Sequence, residues 1–205
     1  MTRIKICGIT NLRDALLCAG LGADYLGFVF AESPRRILPR EASEIIKALK
    51  GLNARSVGVF VNEKEEEIKR IGELCSLDVI QLHGEETPEF CGRFKGYSVF
   101  KAFRLRDEAD IAVMKDYEAD ALLIDSFVEG RHGGTGKRLS PGLAGKAAVY
   151  SERLILSGGL TPGNVRGCIA KIKPFGVDVS SGVEKSPGRK DAGKVKSFIE
   201  AARPG

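Results

Sequence analysis

The sequence predicts an α/β protein, a closed (β/α)8 barrel of the TIM type, from three observations. Short β-rich apolar runs return every ~20 to 30 residues, longer stretches with helical spacing separate them, and there are eight of each. No charge block or linker interrupts the series, so residues 1–205 are read as one domain at the small end of the barrel size range. An open doubly wound sheet, which normally holds fewer strands, is the structural alternative.

Taken in order, the first strand is Arg3–Ile9, followed by a helix over Leu12–Leu21 that Thr10 opens. Asp24–Phe30 and Glu41–Leu49 form the second unit, Arg55–Val61 and Lys64–Leu74 the third, and Asp78–His83 and Pro88–Phe94 the fourth. The fifth strand, Tyr97–Phe103, precedes a helix over Glu108–Tyr117, and the sixth, Asp120–Asp125, ends the unbroken apolar run Ala121–Ile124. Ser140-Pro141 and Thr161-Pro162 open the sixth and seventh helices, Pro141–Val149 and Pro162–Ile172, because proline is pre-organised for the first helical turn. Arg153–Leu156 and Phe175–Ser180 supply the last two strands, and Asp191–Ala202 the last helix.

Composition excludes several classes. Hydrophobic residues are 43% and charged residues 29% of the chain, a globular balance with little room for a disordered tail. No apolar run approaches the ~20 residues of a membrane span, and the N-terminus has no signal-type apolar region, so the expected location is cytoplasmic, with no membrane partner. Five scattered cysteines without a C-x-x-C pair indicate neither a disulfide framework nor a thiolate metal site, and most are read as buried thiols. The two histidines show no metal-ligand spacing either. The net charge of +5 is spread among acidic residues, with no basic cluster interleaved with aromatics; nucleic acid is therefore not an expected partner, and modest steering of a small anion is.

Strand alternation assigns faces. Ile4 and Ile6 should meet the helices, leaving Lys5 and Cys7 inward; by the same rule Gln81 goes with His83, Lys101 with Val99 and Phe103, Leu123 with Asp125, and Asp178 with Ser180. The first and last strands of a closed ring are neighbours, so Lys5 and Asp178 are expected to pair beneath the site. Cys7 then stands at a strand end. An unperturbed thiol, with pKa ~8.5, is only a few per cent thiolate at neutral pH, so a working base needs a nearby cation. Lys5, with Lys101 as a second source, is expected to supply that field.

Barrel sites lie at the C-terminal ends of the strands. Asp125 ends the sixth strand, before a glycine-rich loop (127–138) that reads as a lid, and is expected to face Cys7 as a general acid faces a general base. Gly158, Gly159, Ser180, Ser181 and Gly182 fit the phosphate site that barrels build after strands seven and eight. Of the Arg35-Arg36 pair, Arg36 is expected to bind a second anion as a planar fork and Arg35 to lie in solvent. Gln81, His83 and Asp178 complete the expected substrate-binding set.

Taken together these residues resemble the phosphoribosylanthranilate isomerase family. The likeness runs through Lys5-Ile6-Cys7-Gly8-Ile9-Thr10, Ser33-Pro34-Arg35-Arg36, Gln81-Leu82-His83-Gly84, Leu123-Ile124-Asp125, Leu156-Ser157-Gly158-Gly159 and Val177-Asp178-Val179-Ser180-Ser181-Gly182-Val183-Glu184. It implies an Amadori rearrangement of a phosphorylated substrate with Cys7 as general base, Asp125 as general acid, Arg36 on the anthranilate carboxylate and the two late loops on the phosphate. It also implies no redox cofactor or metal, and either a monomer or a homodimer. Another phosphosugar barrel and a non-catalytic α/β ligand-binding module are the competing readings; the cysteine at strand one speaks against the first.

Overall fold

A computed structural model describes residues 1–105, 107–125 and 141–203. Eight parallel strands close into a barrel in chain order: β1 (Arg3–Cys7), β2 (Tyr25–Val29), β3 (Arg55–Phe60), β4 (Val79–Leu82), β5 (Ser98–Arg104), β6 (Ala121–Asp125), β7 (Leu154–Ser157) and β8 (Gly176–Val179). The open-sheet alternative is excluded by the pairing of β8 back onto β1, in a register that sets Lys5 opposite Asp178. The helices are α1 (Leu12–Gly20), α2 (Pro39–Ala48), α3 (Glu65–Cys75), α4 (Pro88–Cys91), α5 (Glu108–Met114), α6 (Pro141–Ala147), α7 (Val165–Ile172) and α8 (Ala192–Ala202). Among the described residues no helix is long and apolar enough to cross a membrane.

Alternation along the strands builds two apolar layers. Inside the barrel, Tyr25, Val57, Val79, Phe100, Ala102, Ala121, Leu123 and Ile155 pack together. Between barrel and helices, Ile4, Ile6, Leu26, Phe28, Ile80, Leu82, Ile124 and Leu156 meet the apolar faces of the helices, including Ala15, Ile68, Ile111, Val165 and Phe198. Cys18, Cys75 and Cys91 are buried, while Cys7 and Cys168 are half-buried.

Several local expectations are corrected. Asn11, not Thr10, caps α1, its Oδ1 accepting from the Asp14 amide at 3.0 Å; the Thr10 hydroxyl instead donates to the Gly188 carbonyl at 2.5 Å. Helix α2 starts earlier than expected, with Pro39 in its first turn. Helix α4 is a single turn, capped by Thr87 and ended at Gly92. Thr161-Pro162 begins a turn rather than α7 itself: Asn164 accepts from the Thr161 amide (2.8 Å) and donates to the Gly159 carbonyl (2.9 Å), and the helix follows. Ser140 and the expected lid, 127–138, lie outside the described residues.

The larger correction is in β5. Phe100 and Ala102 point inward, so Val99, Lys101 and Phe103 face the helix layer, the reverse of the predicted parity. The two residues on each side of Lys101 are apolar, which leaves alternation without a polar face to read. Buried there, the Lys101 ammonium is compensated by Glu86 at 3.0 Å and by the carbonyls of Gly84 at 2.7 Å and Ala102 at 3.1 Å.

Between β8 and α8 the chain makes a 3-10 turn (Ser181–Val183) and an antiparallel hairpin of β9 (Glu184–Ser186) and β10 (Arg189–Lys190). The sequence reading did not anticipate this hairpin.

Candidate active site

The thiol side of the site follows from register. Because Lys5 lies opposite Asp178, their side chains meet inside the barrel at 3.0 Å, both almost wholly buried, and the Ser157 hydroxyl donates to the other carboxylate oxygen at 3.4 Å. One step up the strand, Cys7 lies opposite Gly27. A Cβ on Gly27 would come within 2.7 Å of the Cys7 sulfur and 3.1 Å of the Lys5 nitrogen, so glycine is what lets thiol and ammonium share that space. Burial pushes the Cys7 thiol above its ordinary value, opposed by the charge of Lys5, helped by that of Asp178 and opposed again by Lys190. Lys5 loses by burial, yet Asp178 and Cys7 together hold its ammonium above the ordinary lysine value.

Lys101, expected as the second cation, belongs to the helix side of β5. Lys190 of the unforeseen hairpin takes that place. Its buried ammonium donates to the Cys7 carbonyl at 2.5 Å and to Glu184 at 2.9 Å, and its backbone amide donates to Asp14 at 2.8 Å. No periodicity marks Lys190 in the sequence; the one available signal is its place directly before Asp191, which caps α8.

The carboxyl side lies at the end of β6. Asp125 is the last residue of β6, opposite Arg104 of β5 and Ser157 of β7, on the same inward parity as Leu123. Its side chain is 34% exposed, and Oδ2 lies 3.7 Å from His83 Nε2. His83 follows the end of β4, and Gln81 Nε2 lies 2.8 Å from its Nδ1. Gln81 is wholly buried, with its Oε1 unpartnered among the described residues. A cavity of about 510 Å³ extends from His83 past Asn62 to Phe103 and Tyr117, away from Cys7.

The two late loops lie side by side. Gly158 and Gly159 both have positive φ, at 83° and 66°, and a Cβ on Gly182 would fall 1.9 Å from the Leu160 carbonyl oxygen, so only glycine permits this close approach. The Ser180 hydroxyl is buried without a hydrogen-bond partner among the described residues, and Ser181 is exposed.

Arg35 is not a solvent residue. Its guanidinium forks onto Glu184 at 2.7–3.1 Å and covers Gly8, where a Cβ would fall 2.6 Å from its side chain. Glu184 is thereby held between Arg35 and Lys190. Arg36 next to it is exposed, and its backbone is tied to the end of β2 by a bridge to Val29. Gln81 and Asp178, expected on the substrate, are buried with partners of their own, His83 and Lys5.

Fold and site define a (β/α)8 barrel enzyme whose thiol, carboxyl and glycine-rich loops gather at the C-terminal mouth. The sequence model described as N-(5'phosphoribosyl)anthranilate (PRA) isomerase matches residues 4–201. The N-(5'-phosphoribosyl)anthranilate isomerase of Pelobacter propionicus is 48% identical over 99% of this chain and 96% of its own. The crystal structure of the phosphoribosyl anthranilate isomerase of Thermotoga maritima superposes with a TM-score of 0.91 at 43% identity, covering 98% of both chains. A further solved isomerase, in complex with reduced 1-(o-carboxyphenylamino)-1-deoxyribulose 5-phosphate, gives 0.88 at 41%, again over 98% of each chain. The chain belongs to the N-(5'-phosphoribosyl)anthranilate isomerase family.

Proposed function

We infer that this chain converts N-(5'-phosphoribosyl)anthranilate to 1-(2-carboxyphenylamino)-1-deoxyribulose 5-phosphate, the isomerisation of its family in tryptophan biosynthesis, with Asp125 as general acid and Cys7 as general base. The observation that carries the reading is the placement of these two residues, in a member of this family, on inward positions at the C-terminal ends of β6 and β1. Asp125 gives its proton to the furanose ring oxygen as the C1'–O bond breaks, and the anilino nitrogen supplies the electron pair that makes the Schiff base. Cys7, as thiolate, then takes the proton from C2', and the electrons of that bond flow toward the nitrogen to give an enolamine. Its tautomerisation moves the hydroxyl proton off C2' and puts a proton on C1', so the ketone product has the same atoms as the substrate.

Each remaining residue has a part in this reading. Arg36 takes the anthranilate carboxylate as a planar fork. Gly158, Gly159, Ser180, Ser181 and Gly182 cradle the phosphate through amides and the unpartnered Ser180 hydroxyl. Asp178 acts by holding Lys5 beside the sulfur. A cytoplasmic location suits five cysteines that form no disulfide among themselves. The Thermotoga relative is described as dimeric, which favours a homodimer over a monomer here.

The test is loss of anthranilate-type fluorescence from freshly made substrate. Cys7→Ser and Asp125→Asn should each lower kcat by about 10²–10⁴-fold while affinity for the reduced product analogue stays near that of the unmodified protein. Full turnover by either variant overturns its assignment.

A further inference from the structure

A carboxylic acid that must hand a proton to one substrate atom has two oxygens to keep it on. Which oxygen carries the proton depends on what the other oxygen meets. At Asp125 it is Oδ2 that His83 approaches, its Nε2 standing 3.7 Å away. That separation is longer than a hydrogen bond, as contacts between catalytic groups often are before substrate tightens them.

Behind His83 stands Gln81. The Gln81 amide nitrogen, which can only donate, lies 2.8 Å from Nδ1. A neutral ring that accepts at Nδ1 carries its hydrogen on Nε2, the atom facing Asp125. Turning the amide over would leave both of its N–H groups, rather than one N–H and the oxygen, without partners in a wholly buried position, and would aim the bare Nε2 lone pair at the Asp125 carboxyl. Gln81 sits too deep, at 0% exposure, to reach for substrate; the imidazole, partly exposed at the mouth, lies between it and the acid.

We propose that His83 is a positioning residue for Asp125: held by Gln81 as the Nε2–H tautomer, it donates to Oδ2 and so keeps the transferable proton on Oδ1, toward the substrate. The inference rests on Asp125 being the general acid. It gives Gln81 and His83 a task distinct from binding a substrate hydroxyl or carboxylate. It also accounts for a buried amide that spends its donor on one ring nitrogen.

The experiment compares His83→Ala, His83→Gln, Gln81→Met and Asp125→Asn by turnover of phosphoribosylanthranilate and by binding of the reduced product analogue. A misplaced proton donor costs up to about 100-fold in rate, so His83→Ala should lower kcat on that scale. Its KM and analogue Kd should stay within about threefold, because binding is not what is lost. His83→Gln, whose amide N–H can reach the same carboxyl, should recover most of the rate, and Gln81→Met should lower kcat in the direction of His83→Ala. A His83→Ala variant with raised KM, weakened analogue binding and unaltered kcat would overturn the proposal in favour of direct substrate contact. If Asp125→Asn is inactive while His83→Ala turns over normally, this inference alone is lost; full activity of Asp125→Asn removes the acid assignment on which it rests.

Discussion

At the scale of single residues, the site is a set of side chains whose tasks are set by what else they touch. Arg35 and Arg36 are adjacent and chemically identical, yet Glu184 claims the first and leaves the second exposed over the mouth. Arg35 spends its Nε–Nη2 edge on a buried carboxylate, whereas the guanidinium of Arg36 stands in the open with its donors facing outward from the fold. Arg36→Ala should therefore raise KM for phosphoribosylanthranilate with kcat little changed, since a carboxylate remote from the reacting carbons is bound equally in ground and transition states. An unchanged KM removes Arg36 from that role. The sequence marked both arginines and gave no means of telling that Arg35 finds a partner 149 residues away.

At the scale of elements, β5 and the β9–β10 hairpin show where pattern reading stops. Alternation identifies a face only when one face is polar, and in β5 the residues on either side of Lys101, Val99 to Phe103, are apolar on both faces. The hairpin is too short and too charged to register as apolar strands, yet it carries Glu184 and Lys190 into the site. Burial works against the charge on Glu184, but hydrogen bonds from Arg35 and Lys190 hold its carboxyl below the ordinary glutamate range. A carboxyl depressed in the folded state contributes stability that is complete above the ordinary glutamate pKa, ~4.3, and is lost as the pH falls through the lower native value. Glu184→Gln should accordingly lower Tm at neutral pH and flatten its fall on acidification below that range. A Tm profile parallel to that of the unmodified protein would show that Glu184 adds nothing through its charge.

At the scale of the molecule, closure decides the rest. The ring brings residue 5 against residue 178, and the resulting ion pair is the floor on which Cys7 stands. Removing one partner from a buried pair leaves an uncompensated charge and costs about 3–5 kcal/mol, whereas removing both is much cheaper. Lys5→Met should thus lose stability on that scale, and Lys5→Met/Asp178→Asn should regain most of it, as measured by urea unfolding. In the double variant the Cys7 thiol, already raised by burial, loses both the Lys5 cation that opposes the rise and the smaller upward push of Asp178, so on balance its alkylation by iodoacetamide should require a higher pH. An unshifted alkylation profile would remove Lys5 from the control of the sulfur.

The sequence by itself determined the eight strand–helix units, the inward placing of Lys5, Cys7, Asp125 and Asp178, and the two glycine-rich loops. These are consequences of local period and of turn chemistry, which neighbouring residues suffice to express. Tertiary structure alone decided that Lys101 serves the outer layer, that Lys190 joins Cys7, that Arg35 belongs to Glu184, and that Gln81 holds His83 toward Asp125. Those outcomes depend on which groups meet once the barrel is closed, because a buried charge takes its character from its partner, and Cys7 for Lys190, Glu184 for Arg35 and Asp125 for His83 are all distant in the chain.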